Sequence, residues 1–312
     1  MTSQQEKAQR FAALHHSATP LLMPNPWDPG SARFLAALGF HALATTSSGF
    51  AGTLGRLDGH VTREEVLAHA AAIVDATDVP VSADLENAFA DDPKGVAETF
   101  QLALETGLAG GSVEDFTRHG DDPIYERQLA AARVAAAAEI AHAGPVQFVL
   151  TARAENHIHG RPDLADTIGR LQAYQEAGAD VLFAPGVIDA ADIRAVVTSV
   201  DRPVNVLALP GVPTVAELAE LGVKRVSVGG AFSLAGIGAV ARAGRELLEQ
   251  GTFGYWELAG EGRTLAREAF AASGCVAVSC PLTSIRPDVG LSSPAIIRSV
   301  VVLPAPFGPR KP

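Results

Sequence analysis

Residues 79–92 read VPVSADLENAFADD. The first half has the character of a buried strand, expected over Pro80–Glu86. The second half is a loop rich in Ala and Asp. The strand runs out in two acids, Asp84 and Glu86. In a strand, residues i and i+2 point to one face, roughly 6–7 Å apart. Two carboxylates so placed repel each other unless a metal ion or an arginine sits between them, or water screens them.

The pattern around this stretch repeats along the chain. Strands are expected near Leu21–Trp27, Ala42–Ser47, Pro80–Glu86, Gly111–Asp115, Gln147–Arg153, Asp180–Ala184, Pro203–Leu207 and Arg225–Val228. Helices are expected over Gly30–Leu38, Thr62–Ala76, Pro93–Thr106, Pro123–His142, Asp163–Ala177, Asp189–Val200, Thr214–Leu221 and Phe232–Gln250. Thr62 with Glu65, and Thr214 with Glu217, have the spacing of capping boxes. Near-continuous apolar strands imply a sheet covered on both faces. Eight such units predict an α/β fold, a (β/α)8 TIM barrel, whose usual size is about 250 residues. A doubly wound open sheet is the alternative. It would more often carry G-x-G-x-x-G after its first strand, where this chain has NPWDPGSA.

One more helix is expected around Tyr255–Ala272. Beyond Gly274 the composition shifts. Residues 275–312 hold a single acid, Asp288, and end in VVVLPAPFGPRKP. The expected division is a barrel domain with its C-terminal helix over 1–274 and an irregular tail over 275–312.

The 312 residues carry a formal net charge of −11. A diffusely acidic surface argues against nucleic acid or an anionic membrane as partner. The two cysteines, Cys275 and Cys280, make no disulfide framework. The polar N-terminus lacks a signal-peptide core, and no apolar run reaches the ~18–20 residues of a membrane span. A cytoplasmic location is the expectation.

The reaction face of a barrel lies at the C-terminal strand ends. There the sequence places Asn25, Trp27 and Asp28 after strand 1 and TTSSGF (Thr45–Phe50) after strand 2. A loop with Asp58 follows. Asp84 and Glu86 end strand 3, Glu114 and Asp115 strand 4, and Arg153, Glu155, Asn156 and His157 strand 5. Asn205 lies on strand 7 and Gly229–Gly230 after strand 8. Oxygen-rich acidic sets suit Mg²⁺. Arg153 offers a planar fork for a carboxylate or phosphonate, and the SSG turn offers backbone N–H and hydroxyl donors. Asp115 should point away from Glu114. Trp27 reads as packing, and His15, His16 and His159 as surface.

Taken in order, NPWDPGSA, TTSSG, DLEN, SVED, TARAEN and GADVLFAPG resemble the isocitrate lyase/phosphoenolpyruvate mutase superfamily, over roughly residues 8–272. The resemblance implies a (β/α)8 barrel that often exchanges its last helix in dimers or tetramers. It implies Mg²⁺, with Mn²⁺ as the alternative. Asp84, Glu86 and Glu114 would be the metal site, and Asp58 would contact metal-bound water. Ser47, Ser48, Gly49, Phe50 and Arg153 would bind the substrate, with Asn205 on strand 7 as a further candidate from its position. Arg153, Glu114, Asp58 and His119 are the candidate catalytic residues.

The lyases of this superfamily carry a Lys-Lys/Arg-Cys-Gly-His loop. The corresponding EDFTRHGDDPIYE has neither Cys nor Lys, which leaves Arg118 and His119. The expected function is Mg²⁺-dependent C–C cleavage of a small 2-oxo or 2-hydroxy carboxylate through an enolate. The alternatives are P–C chemistry on a phosphonopyruvate-like substrate, or a barrel that binds 2-oxo acids without turnover. The expected partners are a small anionic carboxylate and further copies of the chain, as a homodimer or homotetramer.

Overall fold

The computed structural model describes residues 2–120 and 123–272. It begins with a helix that the sequence reading passed over, α1 (Gln4–Leu14), capped by Ser3 with Glu6. Strands and helices then alternate: β1 (Leu21–Met23), α2 (Pro29–Ala37), β2 (Leu43–Ala44), α3 (Ser47–Thr53), α4 (Arg63–Ala76), β3 (Val81–Asp84), α5 (Pro93–Glu105), β4 (Gly110–Glu114), α6 (Arg127–His142) and β5 (Val149–Arg153). After these come α7 (Leu164–Glu176), β6 (Val181–Phe183), α8 (Ala190–Thr198), β7 (Val204–Leu207), α9 (Val215–Leu221), β8 (Arg225–Ser227), α10 (Ala231–Glu249) and α11 (Trp256–Ala272).

All eight strands pair in parallel, in the order β1-β8-β7-β6-β5-β4-β3-β2. The sheet nearly closes on itself. Across the remaining gap, the Ala44 N–H donates to the Pro24 carbonyl at 3.1 Å. This is the (β/α)8 barrel that the alternation predicts. The expected capping boxes at Thr62 and Thr214 both form. Each satisfies two backbone donors that a helix start would otherwise leave without partners.

The main core lies between the sheet and its outer helices, with Leu43, Ile73, Phe100, Leu150 and Leu171 fully buried. A second cluster sits at the N-terminal end of the strands. There Ala8 and Phe11 of α1 meet Leu21, Ala42, Val149 and Val181. α1 therefore stoppers the bottom of the barrel, and burial of Phe11 holds it there. α11 runs back against α2. Among the described residues no helix is long and apolar enough to cross a membrane.

Three local expectations need correction. The second strand stops at Ala44, because Thr46 caps α3 and draws Ser47 and Ser48 into a helix. The third strand stops at Asp84. Glu86 lies beyond it at φ 55°, so Asp84 and Glu86 are not strand neighbours on one face. His15, expected at the surface, is 2 % exposed at the C-terminal end of α1. The expected tail over 275–312 lies outside the described residues.

Candidate functional site

β3, β4 and β5 end side by side, with Asp84 paired to Ser112 and Glu114 to Arg153 in register. That register brings the acids of three strands around one guanidinium. Arg153 meets Asp84 Oδ1 at 2.8 Å, Glu155 Oε1 at 2.8 Å and Glu114 Oε2 at 3.2 Å. Burial opposes the charge on Arg153, but Glu155, Glu114 and Asp84 outweigh it and raise its pKa further. Burial pushes Glu114 well above the usual carboxylate range despite Arg153. Burial acts on Glu155 in the same sense, yet Arg153 and the nearby His159 hold its carboxyl below that range.

A second arginine, Arg118, stands behind the first. It reaches Glu86 Oε2 at 2.6 Å and Glu114 Oε1 at 3.8 Å. Its guanidinium crosses Gly59, where an added Cβ would lie 2.1 Å from Nη1. A side chain at Gly59 would push the end of Arg118 aside, and the φ of +79° there favours glycine in any case. Glu86 is 2 % exposed, and its Oε1 is buried with no hydrogen-bond partner. Burial, then Asp84, pushes its carboxyl up to about 7.

The backbone here is strained. Glu86, Ala88 and Phe89 all have positive φ, each at a cost of about 1–3 kcal/mol. Arg133 of α6 holds the loop in place. It is 1 % exposed, donates to the carbonyls of Asn87, Ala90 (2.9 Å) and Glu114 (3.0 Å), and lies over the Tyr125 ring.

Above the barrel axis is a cavity of about 230 Å³, lined in part by Ser47, Ser48, Asp58, Asp84, Arg153 and Asn205. The Ser47 N–H donates to Asp84 Oδ2 at 3.2 Å, and Ser48 Oγ lies 3.2 Å from Thr46 Oγ1. Asp58 is exposed at the rim. Asn205 is buried between Ser227 and Arg225.

Other expected site residues fall elsewhere. Gly49 is packed near Trp27, Thr46 and Ser233, and Phe50 stacks on His69. Glu86 and Glu114 do not line the cavity but lie behind the two guanidiniums. His119 is exposed on the loop after β4, outside the cavity lining. His159, expected as solvated surface, stacks on Phe116 at 3.7 Å and approaches Glu155. Asp115 turns away from Glu114, as strand alternation requires. It accepts from Tyr174, Arg170 and the Glu155 N–H at 2.5–3.0 Å.

The acids suit a hard divalent cation in kind. Their donors are all carboxylate oxygens, and Glu86 Oε1 is buried without a partner. In arrangement they are drawn onto Arg153 and Arg118 instead. Among the described residues no three His, Cys, Asp or Glu side chains stand ready to hold an ion. Asp84 is the acid of the three that faces the cavity.

Sequence reasoning missed two partners, Arg118 as the cation for Glu86 and Arg133 as the clamp on its loop. Arg118 has a local signal, since it lies four residues after Glu114. Arg133 has none, sitting among alanines on a helix face.

Comparison with known proteins places this geometry. A crystal structure of a candidate lyase/mutase from Burkholderia cenocepacia J2315 superposes with a TM-score of 0.82 at 52 % identity, covering 85 % of this chain and 95 % of that one. An uncharacterized protein of Mycobacterium tuberculosis is 36 % identical over 75 % of this chain and 87 % of its own length. A 2-methylisocitrate lyase of Halalkalibacterium halodurans is 29 % identical, over 64 % of this chain and 67 % of its own. Residues 11–248 match the family model for phosphoenolpyruvate phosphomutase. The chain belongs to that family, within the isocitrate lyase/phosphoenolpyruvate mutase superfamily.

Proposed function

We propose that this protein is a divalent-metal-dependent lyase that cleaves a C–C bond of a small 2-oxo or 2-hydroxy carboxylate, leaving an enolate that becomes a pyruvate-like product. The observation that carries the reading is Arg153, held at the cavity by Asp84, Glu114 and Glu155. A guanidinium fixed on three sides is a preorganised fork for a substrate carboxylate, with little entropy left to lose on binding. Ser47 and Ser48 at the start of α3 add hydroxyl donors to the same cavity lining.

Mg²⁺, or Mn²⁺, would be held by Asp84, with Glu86 and Glu114 behind it. When bound, it supplies positive charge beside the substrate's developing oxyanion. The chain's own part is to orient the substrate through Arg153 and α3, and to keep the acids from repelling each other through Arg118. Asp58 at the rim is placed to meet the polar end of a guest.

Exposed apolar residues along α10 and α11, among them Leu234, Val240, Leu248, Trp256 and Leu258, support a homodimer or homotetramer in which α11 is exchanged. A cytoplasmic location fits this reading.

The test is a Mg²⁺-dependent assay on 2-oxo acids, hydroxy-diacids and phosphonates, following release of pyruvate, glyoxylate and phosphate. Carbonyl product that disappears with chelator and with Asp84→Ala supports the reading, and turnover unchanged in Asp84→Ala refutes it. The family match favours a second reading, P–C chemistry on a phosphonopyruvate-like substrate. Phosphate release or isomerisation in the same assay would select it. Tight 2-oxo acid binding without turnover would leave a binding barrel.

A further inference from the structure

Among the described residues Arg133, Arg153, Arg170 and Arg225 are buried or nearly so, and the first three have their charge answered, Arg170 by Asp115 and Asp166. Arg153 meets three carboxylates, while Arg133 meets three carbonyls and a ring. Arg225 of β8 meets neither. It is 3 % exposed, and its bonds reach only neutral groups. Nε donates to Asn205 Oδ1 at 2.9 Å and Nη2 to Thr151 Oγ1 at 3.1 Å, and Nη1 lies 3.3 Å from His15 Nε2.

His15 Nδ1 lies 2.8 Å from the Phe11 carbonyl, which can only accept. The ring proton is therefore on Nδ1, and Nε2 offers Arg225 a lone pair. Among the described residues no carboxylate pairs with Arg225, and unlike Arg133 it has no main-chain carbonyls aimed at it in compensation, an uncommon state for a buried cation. A guanidinium has five N–H donors, and these contacts engage three of them.

The surroundings supply a second, independent observation. Barrel interiors are normally filled by Val, Ile and Leu. Near Arg225 this one presents Ser82, Ser112, Thr151 and Ser227, all lining the cavity that Asp84 and Arg153 share. Small hydroxyl side chains leave room and can hydrogen-bond a polar guest. The polar hollow runs from the acids at the top to Arg225 at its floor.

We propose that Arg225 receives an anionic group at the floor of this cavity, either the second carboxylate of a bound diacid or a free small anion. The diacid source rests on reading the cavity as the substrate site. The free-anion source does not.

Two measurements separate the sources. The first is calorimetric binding of malonate and succinate against acetate, with Mg²⁺ present, to wild type and Arg225→Met. Loss of one charged hydrogen-bonding partner should weaken the diacids by about tenfold to a hundredfold and leave acetate unchanged. The second is bromide soaked into crystals. An anomalous peak against the Arg225 guanidinium is expected in wild type, and none in Arg225→Met. The wild-type peak and its position against the guanidinium can be read without the variant, so a misfolded Arg225→Met does not stall this arm.

A diacid preference assigns the position to the substrate, and a bromide peak without it assigns it to a free ion. Absence of both overturns the proposal. A bromide peak in a protein without lyase turnover would sink the proposed function and leave the anion position standing.

Discussion

Arg153 and Arg225 face one cavity from its two ends, and the barrel handles them in opposite ways. At the top, Arg153 is over-supplied with negative charge, and removing it exposes an acid cluster. At the bottom, Arg225 has dipoles and a lone pair but no countercharge, and Arg153 repels it. Burial, then Arg153, lowers its pKa to about 9. The charge of Arg153 is thus answered by the protein's own acids, while that of Arg225 is left for a guest to answer.

The largest test of this contrast is Arg153→Met. It leaves Asp84, Glu114 and Glu155 facing each other without their cation, which should destabilise the fold by about 3–5 kcal/mol. Denaturant midpoints at pH 8 would read this, and the loss should shrink at pH 5 as Glu114, which burial pushes well above the usual carboxylate range, takes up its proton. A loss below ~1 kcal/mol at pH 8 would mean that the acids are not held by Arg153.

Glu86 gives the next effect, with a defined sign. Its folded pKa of about 7 lies above the ordinary 4.5. The folded state therefore holds the extra proton, and stability falls as pH rises from about 4.5 to 7. In chelator-treated protein, Glu86→Gln should flatten that slope. Above pH 7 it should stabilise the fold by about 3 kcal/mol, with no difference below pH 4.5. An unchanged slope would show that Arg118 keeps Glu86 fully charged.

The two ends also differ in how much the sequence disclosed. DLEN, SVED and TARAEN each place an acid or arginine at the end of an apolar run, and βα alternation carries those ends to one face. The top was legible because both signals are local. The bottom depends on α1, whose QQEKAQRFAAL shows little apolar stripe because one aromatic, Phe11, anchors it. The contact between His15 and Arg225 spans 210 residues, and VKRVSV reads like any strand. Even at the top, the sequence predicts Glu86 on the strand, because nothing local announces three positive-φ residues in LENAF. Arg133, 43–46 residues away from the loop carbonyls, holds that conformation.

His15 should titrate in the sense opposite to Glu86. Burial, with Arg225 adding, lowers its pKa to about 3 from 6.5. The unfolded chain takes up a proton that the folded chain refuses, so stability is lost as pH falls below 6.5. At pH 5 this amounts to about 2 kcal/mol. His15→Gln should remove that acid-side loss while leaving the neutral-to-alkaline slope from Glu86 in place. If the acid-side loss persists in His15→Gln, the ring is not held neutral against Arg225.

The smallest expected effect is the stability change in Arg225→Met, and its size carries the contrast. Methionine has similar length and enough flexibility to fill the same hollow. It gives up bonds to Asn205, Thr151 and His15, each worth about 1.5–3 kcal/mol net for a charged donor. It also relieves the desolvation of an unanswered charge, several kcal/mol in scale. In an anion-poor buffer the relief should offset most of the loss, leaving a net change within about 1 kcal/mol of zero. Adding bromide should then raise the wild-type midpoint more than that of Arg225→Met, because only wild type binds the ion in its folded state. A loss of 3 kcal/mol or more in the anion-poor buffer would equate Arg225 with Arg153 as a charge the protein itself balances, and the two ends of the barrel would no longer differ.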